Sequence, residues 1–218
     1  GSGTGSLSVL TRLSAGGTAV IEGSKGGATM DVFSLTASGA TISLSTIGDF
    51  SASTVLTNDG AFVLDGAAAT SAQISIGIIT ASAAVTISMG AGSGALAVTG
   101  IDTVGAITVD GSTYTGTMDL NEISASGISV VTGTRGDFSA QDVVSSKNFV
   151  LDASKGVTAQ VTLSNLSASG TVTISLGSGT GALSTGGANS AKSFTLDASK
   201  NGGSLDLGTT SASGVSIS

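Results

Sequence analysis

The sequence predicts an all-β chain folded as a β-solenoid, a parallel β-helix-like rod. Three observations predict it. An internal repeat of about five 44-residue units runs through the chain, each unit divides into four 11-residue strand-turn pieces, and the composition suits narrow stacked coils. Self-similarity at a fixed period is the mark of stacked repeat architectures.

The repeat is fixed by two marks. The tripeptide Ala-Ser-Gly or Ala-Ser-Ala begins at Ala37, Ala81, Ala125, Ala168 and Ala212, with spacings of 44, 44, 43 and 44. An acid recurs in step with it: Glu22, Asp65, Asp110, Asp152 and Asp197. A slower rhythm is superposed. "GDFSA" occupies residues 48–52 and 136–140, whereas the alternate units carry "GTGSL" at 3–7, "GSGAL" at 92–96 and "GTGAL" at 179–183. The units therefore alternate in two types, as duplication of a paired unit would leave them.

The unit over residues 85–128 divides into "VTISMGAGSGA", "LAVTGIDTVGA", "ITVDGSTYTGT" and "MDLNEISASGI". Alternating apolar residues rich in Val, Ile, Leu and Thr, bounded by Gly and Ser, read as short strands and turns. Helical spacing is not sustained anywhere, and 34 glycines oppose helix. In "FTLD", alternation puts Phe194 and Leu196 inside and Thr195 and Asp197 outside. Gly and small residues fall at corners, where positive φ or close backbone approach is needed.

One piece is too short to bury its apolar face alone, and stacking many copies solves that. Two pieces per coil, about 22 residues, give about ten coils and a rod of roughly 48 Å. The rival is an extended antiparallel β-meander, because hairpin turns and solenoid corners use similar residues. Immunoglobulin-like sandwiches of about 100 residues are disfavoured, since no such unit here carries a core Trp.

Residues 1–218 form one continuous repeat array with no polar caps. The phase at residues 215–218 matches that at 172–175, and Gly1 matches Gly177. Either the chain is a section of a longer array or copies join head to tail. The alternation of types favours the section, because a "GDFSA" unit is due next.

Composition narrows the function. The chain has no Pro, Cys, His or Trp, 10% charged residues and a net charge of −7. Its 40% hydrophobic content separates it from disordered chains. No basic cluster provides a footprint for nucleic acid, and no apolar run approaches the roughly 20 residues of a spanning helix. No signal peptide is read at the start as given. The missing His and Cys remove the commonest catalytic base and the usual zinc and copper ligands.

The units at residues 151–154, 196–199, 168–170 and 171–177 resemble the β-rich tandem arrays of large secreted bacterial surface proteins, such as S-layer proteins and giant RTX-type adhesins. The resemblance covers the whole chain. It implies a secreted, cell-surface location and a structural or adhesive role. The GGxGxDxUx nonapeptide of RTX repeats is absent.

The recurring acids Glu22, Asp65, Asp110, Asp152 and Asp197 are the candidate calcium ligands. The alternative is a solvated turn in which the carboxylate accepts backbone N–H bonds. Calcium takes six to eight oxygens, so one acid per 44 residues needs carbonyls to complete a shell. Lys25, Lys155 and Lys200, three residues after their acids, are candidate ion-pair partners. Outward Ser and Thr at residues 84–88 and 171–175 suggest a hydroxyl ladder, with ice binding as one use. GxGxxG-like strings at residues 1–5 and 177–181 lack the following helix of a phosphate site. Asp119 with Glu122, and Asp137 with Asp142, are carboxylate pairs of the kind used in glycoside hydrolysis, but no aromatic platform accompanies them. Tyr114 is the only Tyr.

The expectation is therefore a structural, non-enzymatic β-rod in a cell-surface layer, fibre or giant adhesin, self-associating laterally or end to end. No nucleic acid, membrane insertion or cofactor is expected, with calcium the one candidate. A phage or virion fibre is the alternative, and a polysaccharide-active β-helix enzyme ranks third.

Overall fold

The computed structural model describes residues 7–23, 29–44, 48–190 and 192–218. The 1–5 glycine string, most of the first "GTGSL" motif and Lys25 lie outside the described residues. Long and short strands alternate along the chain. The long ones are β1 (Leu7–Ser14), β3 (Met30–Ala37), β5 (Phe50–Thr57), β7 (Gln73–Ala81), β9 (Ala95–Thr103), β11 (Thr117–Ala125), β13 (Phe138–Ser145), β15 (Val161–Ala168), β17 (Leu183–Ser190) and β19 (Leu205–Ser211). The short ones are β2 (Thr18–Glu22), β4 (Gly39–Ser43), β6 (Phe62–Gly66), β8 (Val85–Met89), β10 (Ala106–Asp110), β12 (Gly127–Val131), β14 (Phe149–Ala153), β16 (Val172–Leu176), β18 (Ser193–Asp197) and β20 (Gly214–Ile217).

Odd strands form one ten-stranded sheet in order and even strands form another. Each strand pairs in parallel with the strand two places on, as in β7 with β9 and β8 with β10. This is a β-solenoid, and parallel pairing excludes the antiparallel meander. Each coil is one long and one short strand, numbered here 1 to 10, so a 44-residue unit is two coils. Nine steps of roughly 4.8 Å put β1 about 43 Å from β19.

The core is a set of stacked columns inside the coils. In the short strands, Ile128, Phe149, Val172 and Phe194 follow one another in register, and both Phe rings are fully buried. Large rings on alternate coils thus stack with the smaller Val172 between them, as close packing of a narrow bore favours. Leu151, Ile174 and Leu196 form the neighbouring column, each at 0% exposure. Phe194 and Leu196 thus lie inside, as their alternation predicts.

Each long strand from β3 to β17 carries a break in that alternation. In β11 the successive residues Asn121 and Glu122 both face away from the core. The ladder to β9 skips from Leu120–Val98 to Glu122–Gly100. The residue count is the same on both strands, so the ladder stays in register while the outward face changes, and this bend in the pattern divides each of these strands into a first arm and a second arm. The second arm in β11 is residues 122–125, and it leads to the first corner, where the chain passes into the short strand. The second corner returns the chain to the next long strand.

The first corner explains the 44-residue mark. Ala37, Thr57, Ala81 and Thr103 stack in register, as do Ala125, Ser145, Ala168 and Ser190. All are buried. The hydroxyl members donate to corner carbonyls: Thr57 Oγ1 to Gly60 O at 2.9 Å, Ser145 Oγ to Asn148 O at 2.9 Å and Ser190 Oγ to Ser193 O at 2.9 Å. A buried hydroxyl without a partner is costly, so the coil between carries Ala, which needs none.

At the second corner glycine acts through close approach. Among the described residues no glycine has positive φ, which corrects that half of the expectation. A Cβ on Gly94 would overlap the Ala72 carbonyl of the coil before, and one on Gly181 would overlap the Ala159 carbonyl. Both belong to the "GxGxL" motif. The "GDFSA" coils close this corner differently: Asp49 Oδ1 accepts the Gln73 N–H at 2.9 Å, and Asp137 Oδ1 the Gln160 N–H at 2.8 Å. Two closures of one corner account for the alternating unit types.

Candidate functional site

The recurring acids fall on one outward row at the end of the short strands. The row runs Glu22, Ser43, Asp65, Ser88, Asp110, Val131, Asp152, Ser175, Asp197. A neutral residue therefore separates each pair of acids, which sit two coils, or about 9.6 Å, apart along the sheet. The spacing limits repulsion between stacked like charges.

Four of these acids shape the turn that follows. Asp65 Oδ1 accepts the Ala67 N–H at 3.0 Å, Asp110 that of Ser112 at 2.9 Å, Asp152 that of Ser154 at 2.9 Å and Asp197 that of Ser199 at 3.1 Å. A side chain bonded to the N–H two residues on is an Asx turn. At Asp197 the Ser199 hydroxyl adds a 2.7 Å bond. The two Ser199 bonds, and then the Lys200 ammonium, hold its carboxyl below the usual aspartate range. Among the described residues no three metal-ligating side chains converge on one point. Calcium at Glu22, Asp65, Asp110, Asp152 or Asp197 would draw on backbone and hydroxyl oxygens for most of its shell.

The outward row one step inward along the short strands reads Val20, Thr41, Val63, Thr86, Thr108, Ser129, Val150, Thr173, Thr195 and Ser216. Val63 and Val150 interrupt it, so hydroxyls are contiguous in runs of at most three. Tyr114 is 2% exposed and faces no open surface, and burial pushes its phenol up to about 12.

The carboxylates that the chain does bring together are not those adjacent in sequence. The bend separates Asp119 from Glu122. Asp119 lies on the first arm, where Ser139 Oγ donates to it at 2.8 Å. Asp137 is held at the second corner by Gln160. Glu122 instead pairs in register with Asp142 on the next coil, and Asp102 stands on the coil before, opposite Ser124. Asp102, Glu122 and Asp142 line an open trough of about 520 Å3 on the second arms, flanked by Ile78 and Val144. Asp142 also accepts a hydrogen bond from Asn165 Nδ2 on the next coil, at 2.7 Å.

The trough carries no buried acid. Among the described residues every buried polar side chain is a Ser, Thr or Tyr. Sequence reasoning missed this grouping because its members come from three coils. Only the positions of the bends place them side by side. No family model, curated protein or solved structure matches the chain.

Proposed function

We propose that the chain is a stiff structural rod in an extracellular assembly: a cell-surface layer, a fibre or a giant adhesin. The observation that carries this is the uniformity of the coils. Two parallel ten-stranded ladders run from the first strand pair to the last, and the same two-coil unit recurs along them. Every coil is hydrogen-bonded to its neighbours through both sheets, so a load along the axis is shared by many backbone bonds. An acidic exterior, at net −7, keeps such rods soluble until they assemble.

The test is imaging of native material with antibodies raised against this chain. The expected result is label on extracellular filaments or a lattice. Label confined to dispersed protein inside cells would refute the proposal.

A further inference from the structure

Among the described residues, the second arms form the one outward face that breaks the chain's own rule for charge. Along the short strands, acids are kept two coils apart. On the second arms, Asp102, Glu122 and Asp142 occupy coils 5, 6 and 7 in succession, and Glu122 and Asp142 are register neighbours. Like charges directly opposite across a ladder destabilise it. Ile78 and Val144, 50% and 52% exposed, border the same trough. Departure from local consistency is expected where a surface serves a partner.

The chain also carries the matching surface. Lys147 and Lys192 are exposed at the first corner of coils 7 and 9. They belong to one column: the Gly170 N–H donates to the Lys147 carbonyl at 2.6 Å, and the Lys192 N–H to the Gly170 carbonyl at 3.3 Å. Two coils separate the lysines, and two coils separate Asp102 from Asp142, with Asp102 on the register row two residues further along the strand. The step along the axis is the same for both pairs because strand spacing sets it.

We infer that the trough on the second arms is the seat of a neighbouring copy of this chain, which enters with its Lys147–Lys192 corner. A parallel neighbour displaced by two coils brings Lys147 level with Asp102 and Lys192 level with Asp142 along the axis, with Glu122 between them, and the flexible lysine stems span the two-residue offset between the acids. Donor and acceptor surfaces differ, so the contact is heterologous and propagates from rod to rod. The strip is narrow, so one contact is weak. The inference rests on the proposed assembly and specifies its lateral bond.

Sedimentation of the 218-residue chain at low and high salt tests it, because screening lengths fall from about 30 Å at 0.01 M to about 3 Å at 1 M. Wild type is expected to associate at low salt and to weaken at least about ten-fold at high salt. Two variants follow: Asp102→Lys with Asp142→Lys, and Lys147→Glu with Lys192→Glu. Each alone is expected to lose association about ten-fold or more, and an equimolar mixture to regain it, since each then offers the other an opposite charge. Circular dichroism of each variant checks that the coils are intact, and rescue in the mixture cannot come from misfolded chains. A monomeric wild type at low salt, association undiminished in both variants, or a mixture that stays apart overturns the inference. Those outcomes leave the extracellular rod standing, whereas intracellular dispersed label with an intact low-salt contact would remove the rod and keep the contact.

Discussion

Gly181→Ala and Gly100→Ala make the same chemical change with opposite expected signs. At Gly181 the added methyl overlaps the Ala159 carbonyl of the preceding coil. That atom is backbone and cannot swing aside, so coils 8 and 9 must part at the second corner. Overpacking of this kind costs about 1–3 kcal/mol. At Gly100 the nearest atom to the new methyl is Ile78 Cγ1 at 4.0 Å, an ordinary contact. The backbone there is not left-handed, so alanine stabilises by about 0.4–1 kcal/mol through the unfolded chain. For a chain this long, one kcal/mol moves the melting temperature by about 2–4 °C. Gly181→Ala should therefore melt about 2–12 °C lower, and Gly100→Ala about 1–4 °C higher. Amide exchange should quicken around coils 8 and 9 in the first variant only, because solenoid stability is summed from neighbouring interfaces. Equal stability of Gly181→Ala and wild type would refute the view that glycine sets coil spacing at this corner.

Phe149→Ala empties a fully buried site between Ile128 and Val172, and should cost about 3–5 kcal/mol in denaturant melts. Asp152→Ala removes the Asx-turn acceptor of the Ser154 N–H and should cost about 1 kcal/mol, whereas Asp152→Asn keeps the acceptor and most of the stability. The lowered Asp197 carboxyl favours the ionised form in the fold. Its contribution is present above the ordinary value of 3.8 and is lost as pH falls through the lower folded value; protection of the Ser199 amide should follow that course. Tyr114 Oη is buried without a hydrogen-bond partner, so Tyr114→Phe should stabilise by about 1 kcal/mol. Its phenol, pushed up to about 12, should ionise above the usual 10 in ultraviolet titration, and folding stability should decline as pH rises through that interval.

The sequence by itself determined the two-residue rhythm and the 44-residue unit. From these follow the strands, the buried faces of Phe194 and Leu196, and the outward place of Asp197, because side-chain direction in a strand is fixed by parity. The acid's role as a turn-former was also legible, since Asp followed by small residues is local turn chemistry. Tertiary structure alone decided the rest. Parallel pairing depends on which strands meet, and the same turn residues serve hairpins and corners. The parity break at Asn121 and Glu122, which recurs in the long strands from β3 to β17, is one that a strictly alternating pattern does not announce. Register between coils then made neighbours of Glu122 and Asp142, twenty residues apart, and stacked alanine against buried hydroxyl at the first corner. Those relations run across the coils, perpendicular to the chain, where sequence order carries no distance.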